Sequence, residues 1–140
     1  MNRKPYVVPT NERRRLHDRA RRAQLRDQTE VCGVVLVNAR RRLRFTFLPN
    51  RSTRQAVWAL TRTDVRAAGQ HAPRGWRLLG SFHSHVVGTA IPGPRDVREG
   101  FYRGFQLVYD VCGREVKLYR RVRRRGRLIA REEPLVRERA

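Results

Sequence analysis

Two histidines one residue apart, followed by an aspartate, are the residues of this chain best suited to hold a metal ion. The stretch GSFHSHVVGTAIPGPRD, residues 80–96, contains His83, His85 and Asp96. Zn²⁺ accepts imidazole and carboxylate ligands in a tetrahedral arrangement, and a hydrolytic site leaves one position for water. Three protein ligands with one open position are therefore the pattern expected of a hydrolytic zinc centre.

A strand, a loop and a helix would bring these three side chains together. The apolar run at 76–85 predicts a central strand, and residues two apart on a strand point to the same side, so both histidines can aim at one point while Ser84 points away. Pro94 suits the first turn of a helix through 95–104, whose start carries Asp96. Histidines at this spacing are more often ordinary polar residues than ligands, so the pair alone is weak evidence for a metal.

Two further helices are predicted from apolar spacing and capping residues. The arginine-rich stretch at 12–28 can be capped by Thr10 or Asn11. Its apolar residues fall at i, i+4 and i+7, which is typical of a helix lying on a core: Leu16, Ala20 and Ala23. The segment at 61–72 is predicted to form the second helix, with Thr63 as a possible cap.

The other apolar segments predict strands. A valine-rich run at 30–38 reads as a buried strand, and the alternating run at 41–50 as a strand with one buried face, joined to the first by a hairpin. The segment at 105–122 is the clearest hairpin. A short strand at Ala56–Leu60 and an edge strand at 127–132 complete the set.

Length and composition fit one folded domain, because 140 residues with 39% apolar content can build a core. We predict an α/β fold: a single mixed-sheet domain over 1–140 flanked by helices, with its core at about 12–130 and basic N- and C-terminal extensions. Cys32 and Cys112 are expected to be reduced thiols. No apolar run approaches the ~18 residues of a membrane span, and no secretory signal is recognised, so we expect a cytoplasmic protein without membrane association.

Positive charge is the most unusual global feature of the chain. There are 33 basic and 12 acidic residues, for a formal net charge of +21, and all the basic residues except Lys4 and Lys117 are arginines. Arginine pairs bidentately with phosphate, and counterion release drives such binding. The excess predicts nonspecific, salt-sensitive nucleic-acid binding. A solvated surface without a specific polyanion partner explains the same composition.

The sequence around the histidines resembles the prokaryotic branch of the JAMM (MPN-type, JAB-domain) zinc metalloprotease family. That family's signature is an upstream glutamate, then His-x-His, seven residues, a serine, two residues and an aspartate. Here His83 and His85 are followed by seven residues, then Gly93, two residues and Asp96, and Glu30 lies upstream. Other segments agree over about residues 12–122: TEVCGVVL, LPNRS before TDVRAA, LLGSFHSH and the hairpin after it.

The resemblance implies an MPN (cytidine-deaminase-like) fold and a role for each matched residue. His83, His85 and Asp96 would bind Zn²⁺. Glu30 would be the general base that activates the metal's water and returns its proton to the leaving amine. The implied activity is that of an isopeptidase, which cleaves an amide bond at the C-terminus of a ubiquitin-like or sulfur-carrier protein, often after a Gly-Gly tail.

Gly93 stands where the family has its serine, whose hydroxyl hydrogen-bonds the water or the developing oxyanion. Losing one such donor costs ~10²–10³ in rate in other hydrolases. The Gly93 N–H or Thr89 could take over the role. Two alternatives to the hydrolase therefore stay open: a catalytically degenerate MPN-type scaffold that binds a protein partner, and an arginine-rich nucleic-acid-binding module.

Overall fold

The computed structural model describes residues 4–52, 54, 57–86 and 88–139 as three helices and eight strands. In chain order these elements are β1 (Tyr6–Val8), α1 (Thr10–Asp27), β2 (Cys32–Asn38), β3 (Leu43–Leu48), α2 (Arg62–Gln70), β4 (Trp76–His85), α3 (Pro94–Glu99), β5 (Phe105–Asp110), β6 (Glu115–Arg124), β7 (Arg127–Glu133) and β8 (Leu135–Arg137).

Six strands form one mixed sheet in the order β3-β2-β4-β5-β6-β7. All neighbouring pairs are antiparallel except β4 and β5, which run parallel and are joined through α3. A separate parallel pair joins β1 to β8, so the first and last strands lie side by side. Strand β4, which carries both histidines, lies inside the sheet and is hydrogen-bonded to β2 on one edge and to β5 on the other.

Alternate residues of β2 face different helices, because successive side chains on a strand point to opposite sides. Val35 packs in a cluster with Leu16 of α1. Val34 packs on the other side with Val65 of α2. Burial of each such aliphatic side chain contributes ~1.5–3 kcal/mol to the free energy of folding, so hydrophobic packing on both faces stabilises the central strands. The predicted α/β class, a mixed sheet flanked by helices, is confirmed.

A bulge in β4 decides which face carries the histidines. The register against β2 shifts between Val35 and Leu36, so that Leu79 is an extra residue on β4. Beyond the bulge Phe82 points to the α1 side, and His83 points to the side of α2 and α3. Gly80 is needed at this point because a Cβ there would lie 2.2 Å from the Phe105 carbonyl oxygen of β5.

Several predicted strands are confirmed, with bounds close to the predicted ones. Strands β2, β3 and β4, the β5–β6 hairpin and the edge strand β7 all lie within or close to the segments that were predicted. Cys32 and Cys112 are free thiols, as expected. Within the part of the chain that the structure describes, no helix is long and apolar enough to cross a membrane.

The capping predictions were wrong for both longer helices. Thr61, rather than Thr63, caps α2, and its Oγ1 accepts the Asp64 N–H at 3.1 Å. Thr10 lies inside α1 rather than before it, and its hydroxyl donates to the Glu138 carbonyl. Contact with the distant C-terminal segment therefore replaces the local cap that the sequence indicated.

The strand predicted at Ala56–Leu60 does not form in residues 57–60, while residue 56 lies outside the described part of the chain. Asn50 explains the difference, because its side chain forms hydrogen bonds with backbone groups that would otherwise pair with a neighbouring strand. Its Nδ2 donates to the Val57 carbonyl at 3.0 Å, and its Oδ1 accepts the Ala59 N–H at 3.0 Å.

Helix α3 ends at Glu99 and does not run on to residue 104 as predicted. Gly100 follows it, and a Cβ there would lie 2.7 Å from the Asp96 carbonyl oxygen of the helix, so glycine is required at this position. The hydroxyl of Ser81 on β4 donates to the Gly100 carbonyl.

Strands β1 and β8 form in segments that the sequence analysis had described as terminal extensions. Tyr6 of β1 is buried in the main core.

Candidate metal centre

His83, His85 and Asp96 meet where β4 ends and α3 begins. His83 Nε2 lies 3.0 Å from His85 Nε2 and 3.2 Å from Asp96 Oδ2. His85 Nε2 lies 3.6 Å from the same carboxylate oxygen. Among the described residues these three form the group of His, Cys, Asp and Glu side chains whose ligand atoms could hold one metal ion.

The spacing of the three atoms fits a tetrahedral zinc site. Bonds of about 2.0–2.1 Å at tetrahedral angles place neighbouring ligand atoms about 3.3 Å apart. The observed separations of 3.0, 3.2 and 3.6 Å bracket this value. Two imidazoles and one carboxylate are also a ligand set that hydrolytic zinc sites use. The donors that the chain provides therefore match the metal in both chemistry and spacing.

A backbone hydrogen bond orients His85. Its Nδ1 lies 2.7 Å from the Thr89 carbonyl oxygen, which can only accept, so Nδ1 carries a proton, and the neutral ring would offer the Nε2 lone pair to a metal at the centre. Such an outer partner is typical of metal-binding histidines. Burial disfavours the charged ring, but the hydrogen bonds to Asp96 and Thr89 outweigh it and raise the pKa of His85.

His83 and Asp96 are held in the protonation states that a metal needs. Burial lowers the pKa of the fully buried His83, although Asp96 opposes that shift, so the ring is kept neutral. Burial alone would raise the pKa of Asp96. The hydrogen bonds from His83 and His85 overcome that effect and hold the pKa of Asp96 well below its usual range, which keeps the carboxylate ionised.

The start of α3 fixes the Asp96 carboxylate. Gly93 is the N-cap residue of this helix, and its backbone N–H donates to Asp96 Oδ2 at 2.9 Å. The Gly93 N–H is therefore already engaged, which argues against it as the replacement for a serine hydroxyl. Thr89 supplies its carbonyl to His85. A Cβ at Gly93 would meet only Asp96 Oδ2, at 3.7 Å, so the position has room for a side chain.

Trp58 contacts two members of the centre and was missed by the sequence analysis. Its Nε1–H donates to Asp96 Oδ1 at 2.8 Å. Its ring stacks on His83 with centroids 4.5 Å apart and planes inclined by 9°. Trp58 lies on an irregular segment, so no helical or strand pattern in the sequence distinguishes it. The sequence signal for this segment was Asn50, whose side chain organises it.

Replacing Trp58 by phenylalanine should weaken zinc binding by about 10–100-fold, the usual cost of losing an outer-shell partner of a metal ligand. Phenylalanine keeps the stacking surface over His83 but cannot donate to Asp96. Titration against a chromophoric zinc chelator would measure the change. Trp76→Phe is the matched control and should leave the affinity unaltered. Equal affinities for both variants would show that the indole N–H does not position Asp96.

Glu30 lies two residues before the start of β2 and is buried, with 7% of its surface exposed. Ser84, which faces away from the centre, holds the chain beside it: its Oγ accepts the Val31 N–H and its N–H donates to the Val31 carbonyl, both at 2.9 Å. Asn50 Nδ2 donates to the Glu30 carbonyl at 2.9 Å. The backbone of Glu30 is thus tied both to the histidine strand and to the segment that carries Trp58.

The charges of the candidate metal ligands change the pKa of the Glu30 carboxyl. Burial raises its pKa to about 8, the charge of His85 lowers it, and that of Asp96 raises it. A divalent cation at the three ligand atoms would favour the ionised form and pull this pKa down. The carboxyl of Glu30 therefore interacts electrostatically with two of the three candidate ligands, His85 and Asp96.

Comparison with known proteins gives one family match. The family described as prokaryotic homologs of the JAB domain matches residues 10–125. No relative with a curated description matches the chain.

Solved structures with low sequence identity share the fold. A solution structure from Desulfitobacterium hafniense has a TM-score of 0.68 at 19% identity, covering 95% of this chain and 92% of its own. One from Salinibacter ruber scores 0.60 at 20% identity, covering 94% and 91%. The crystal structure of a JAB1/MPN domain protein from Archaeoglobus fulgidus scores 0.52 at 17% identity, covering 94% and 98%.

Proposed function

Because the chain belongs to the family of prokaryotic homologs of the JAB domain, we propose that it is a zinc-dependent hydrolase that cleaves an amide bond. His83, His85 and Asp96 hold the metal, and Glu30 acts as the general base. When bound, zinc supplies a Lewis acid that polarises a carbonyl and lowers the pKa of water. The proposed substrate is the C-terminal amide of a ubiquitin-like or sulfur-carrier protein.

Glu30 moves the proton in the proposed reaction. Its carboxylate takes a proton from the attacking water and delivers it to the leaving amine nitrogen. The carbonyl carbon thereby exchanges its bond to nitrogen for one to oxygen, and the products are a carboxylic acid and an amine. Such a step needs a carboxyl close to the metal that is not one of its ligands, and Glu30 is the residue proposed for it.

The observation that carries the proposal is the spacing of the three ligand atoms, with a buried glutamate whose pKa responds to two of them. The second candidate is a degenerate scaffold that binds a protein partner. Gly93 favours it, because no hydroxyl is supplied at the position of the family's serine. A scaffold, however, does not require the buried Glu30 carboxyl, whose burial costs stability whenever it ionises.

Cleavage of a fusion protein tests the proposal. A reporter is attached through an amide bond to a ubiquitin-like protein that ends in Gly-Gly, and products are identified by mass spectrometry. We expect cleavage after the second glycine by zinc-loaded protein, loss of cleavage after chelation, and recovery when zinc is returned. If zinc-loaded protein cleaves none of a panel of such tails, the scaffold is favoured.

Gly93→Ser should increase the rate of cleavage by about 10-fold or more, because one donor to a developing oxyanion is worth ~10²–10³ in other hydrolases. The backbone at Gly93 is extended, with φ −75°, and the space is open, so serine fits without strain. Serine is also an N-cap residue at least as good as glycine. The measurement is kcat on the same fusion, and Gly93→Ala is the control that adds a Cβ without a hydroxyl. A serine variant no faster than the alanine variant would show that the hydroxyl is not needed.

A further inference from the structure

A broad groove lies beside the metal centre, between α2 and the segment that follows α3. Its volume is about 1170 Å³. Six arginines from four elements and a loop line it: Arg62, Arg66, Arg77, Arg98, Arg103 and Arg121. The proposed hydrolase chemistry uses none of these side chains.

The positive charge of this groove is not neutralised from within. Among the described residues, none of the six guanidinium groups is ion-paired with a carboxylate, whereas Arg51 and Arg95, which do not line the groove, are paired. The acidic residue that lines the groove, Glu99, is the partner of Arg95 at 3.1 Å. Arg121 is held in place, since it donates to the Arg98 carbonyl at 3.1 Å. The groove thus presents six cations without an acidic partner among the described residues, and Arg121 is oriented by its backbone hydrogen bond.

The floor of the groove is apolar. Val65 of α2 and Leu78 of β4 lie at its base, together with the half-buried rings of Trp76 and Tyr102. These rings pack into the cluster beneath α2. Because both rings are half-buried, they present less aromatic surface for stacking nucleic-acid bases than exposed rings do.

The groove adjoins the metal centre. Glu99 and Tyr102 line both the groove and a smaller cavity of about 110 Å³. Trp58 and Asp96 line that smaller cavity as well. A molecule bound in the groove would therefore lie next to the cavity that Trp58 and Asp96 line.

We infer that the groove is a docking site for an acidic polypeptide segment in which carboxylates alternate with apolar side chains. The unpaired arginines match the carboxylates, and the apolar floor matches the side chains between them. Nucleic acid would satisfy the charges but not the floor. This docking site goes beyond the proposed hydrolase, and it requires neither a bound metal nor catalysis.

Charge reversal at matched positions tests the inference. One variant of the full chain carries Arg62→Glu, Arg66→Glu and Arg77→Glu; the control carries Arg14→Glu, Arg40→Glu and Arg124→Glu, which are exposed residues outside the groove. Both variants change the net charge equally. Fluorescence anisotropy would measure binding of a labelled peptide of alternating glutamate and leucine and, separately, of labelled oligothymidylate, at physiological salt.

We expect the groove variant to bind the peptide about ten-fold or more weakly than the unmodified protein, and the control less than about three-fold more weakly. Equal losses in both variants would overturn the inference, because the attraction would then come from overall charge. So would oligothymidylate binding tighter than the peptide with the same dependence on the groove, which would make nucleic acid the ligand. The assay measures binding alone, so a negative result leaves the hydrolase untouched, and an inactive hydrolase leaves the groove untouched.

Discussion

Zinc binding is lost in the variant His83→Ala, the largest effect that we expect from one substitution. The Nε2 atom of His83 lies 3.0 Å from His85 Nε2 and 3.2 Å from Asp96 Oδ2, so its removal takes away one of the three candidate ligands. The affinity should fall by more than the ~100-fold that loss of an outer-shell partner can cost. Metal analysis and a chelator competition titration of the purified variant would measure it.

The same variant should also lose stabilisation by zinc. For the unmodified protein, free zinc at 100 times its dissociation constant raises the free energy of unfolding by ~2.7 kcal/mol. His83 is fully buried against Trp58, so its truncation lowers stability as well, and thermal unfolding must be compared with and without zinc for each protein. His71→Ala, which removes an exposed imidazole, is the control. A His83→Ala protein that still binds and is stabilised by zinc would contradict the ligand assignment.

The second large effect is expected for Glu30→Gln, which should keep zinc and lose cleavage. A positioned general base contributes about 10²–10⁴ in rate, and an amide cannot accept the proton. Burial raises the pKa of the Glu30 carboxyl to about 8, so the metal-free protein holds the neutral form at pH 7, which glutamine matches in shape. We therefore expect an unaltered free energy of unfolding for the metal-free variant.

The measurements for this variant are kcat/KM on the Gly-Gly fusion and zinc content in the same preparation. Glu99→Gln is a suitable control because it changes an exposed carboxylate on the helix that carries Asp96. It should cleave within a few-fold of the unmodified protein. Full activity in Glu30→Gln would exclude Glu30 as the base, whereas loss of zinc from it would mean that Glu30 is needed for metal binding.

The sequence predicted the central sheet because local patterns determine it. The valine-rich β2, the alternating β3 and the β5–β6 hairpin each have the pattern of apolar residues that is typical of strands. The convergence of His83, His85 and Asp96 was predictable in the same way, from alternation on β4 and the proline that begins α3. Each of these features depends on a pattern within one strand, one turn or the start of one helix.

Features that depend on distant contacts were not predictable. β1 and β8 pair across nearly the whole chain, so neither segment contains the signal for its partner. Trp58 acts through Asp96 and His83, which lie more than 20 residues away, on a segment without periodicity. The engagement of the Gly93 N–H by Asp96 likewise appears only once the loop is folded.

Anomalous diffraction at the zinc absorption edge tests the central claim most directly. Crystals of the unmodified protein grown with zinc and without chelators should show one strong peak, about 2.0–2.2 Å from His83 Nε2, His85 Nε2 and Asp96 Oδ2, with the Glu30 carboxylate outside bonding distance. A zinc peak at other residues, or none at this site, would contradict the account.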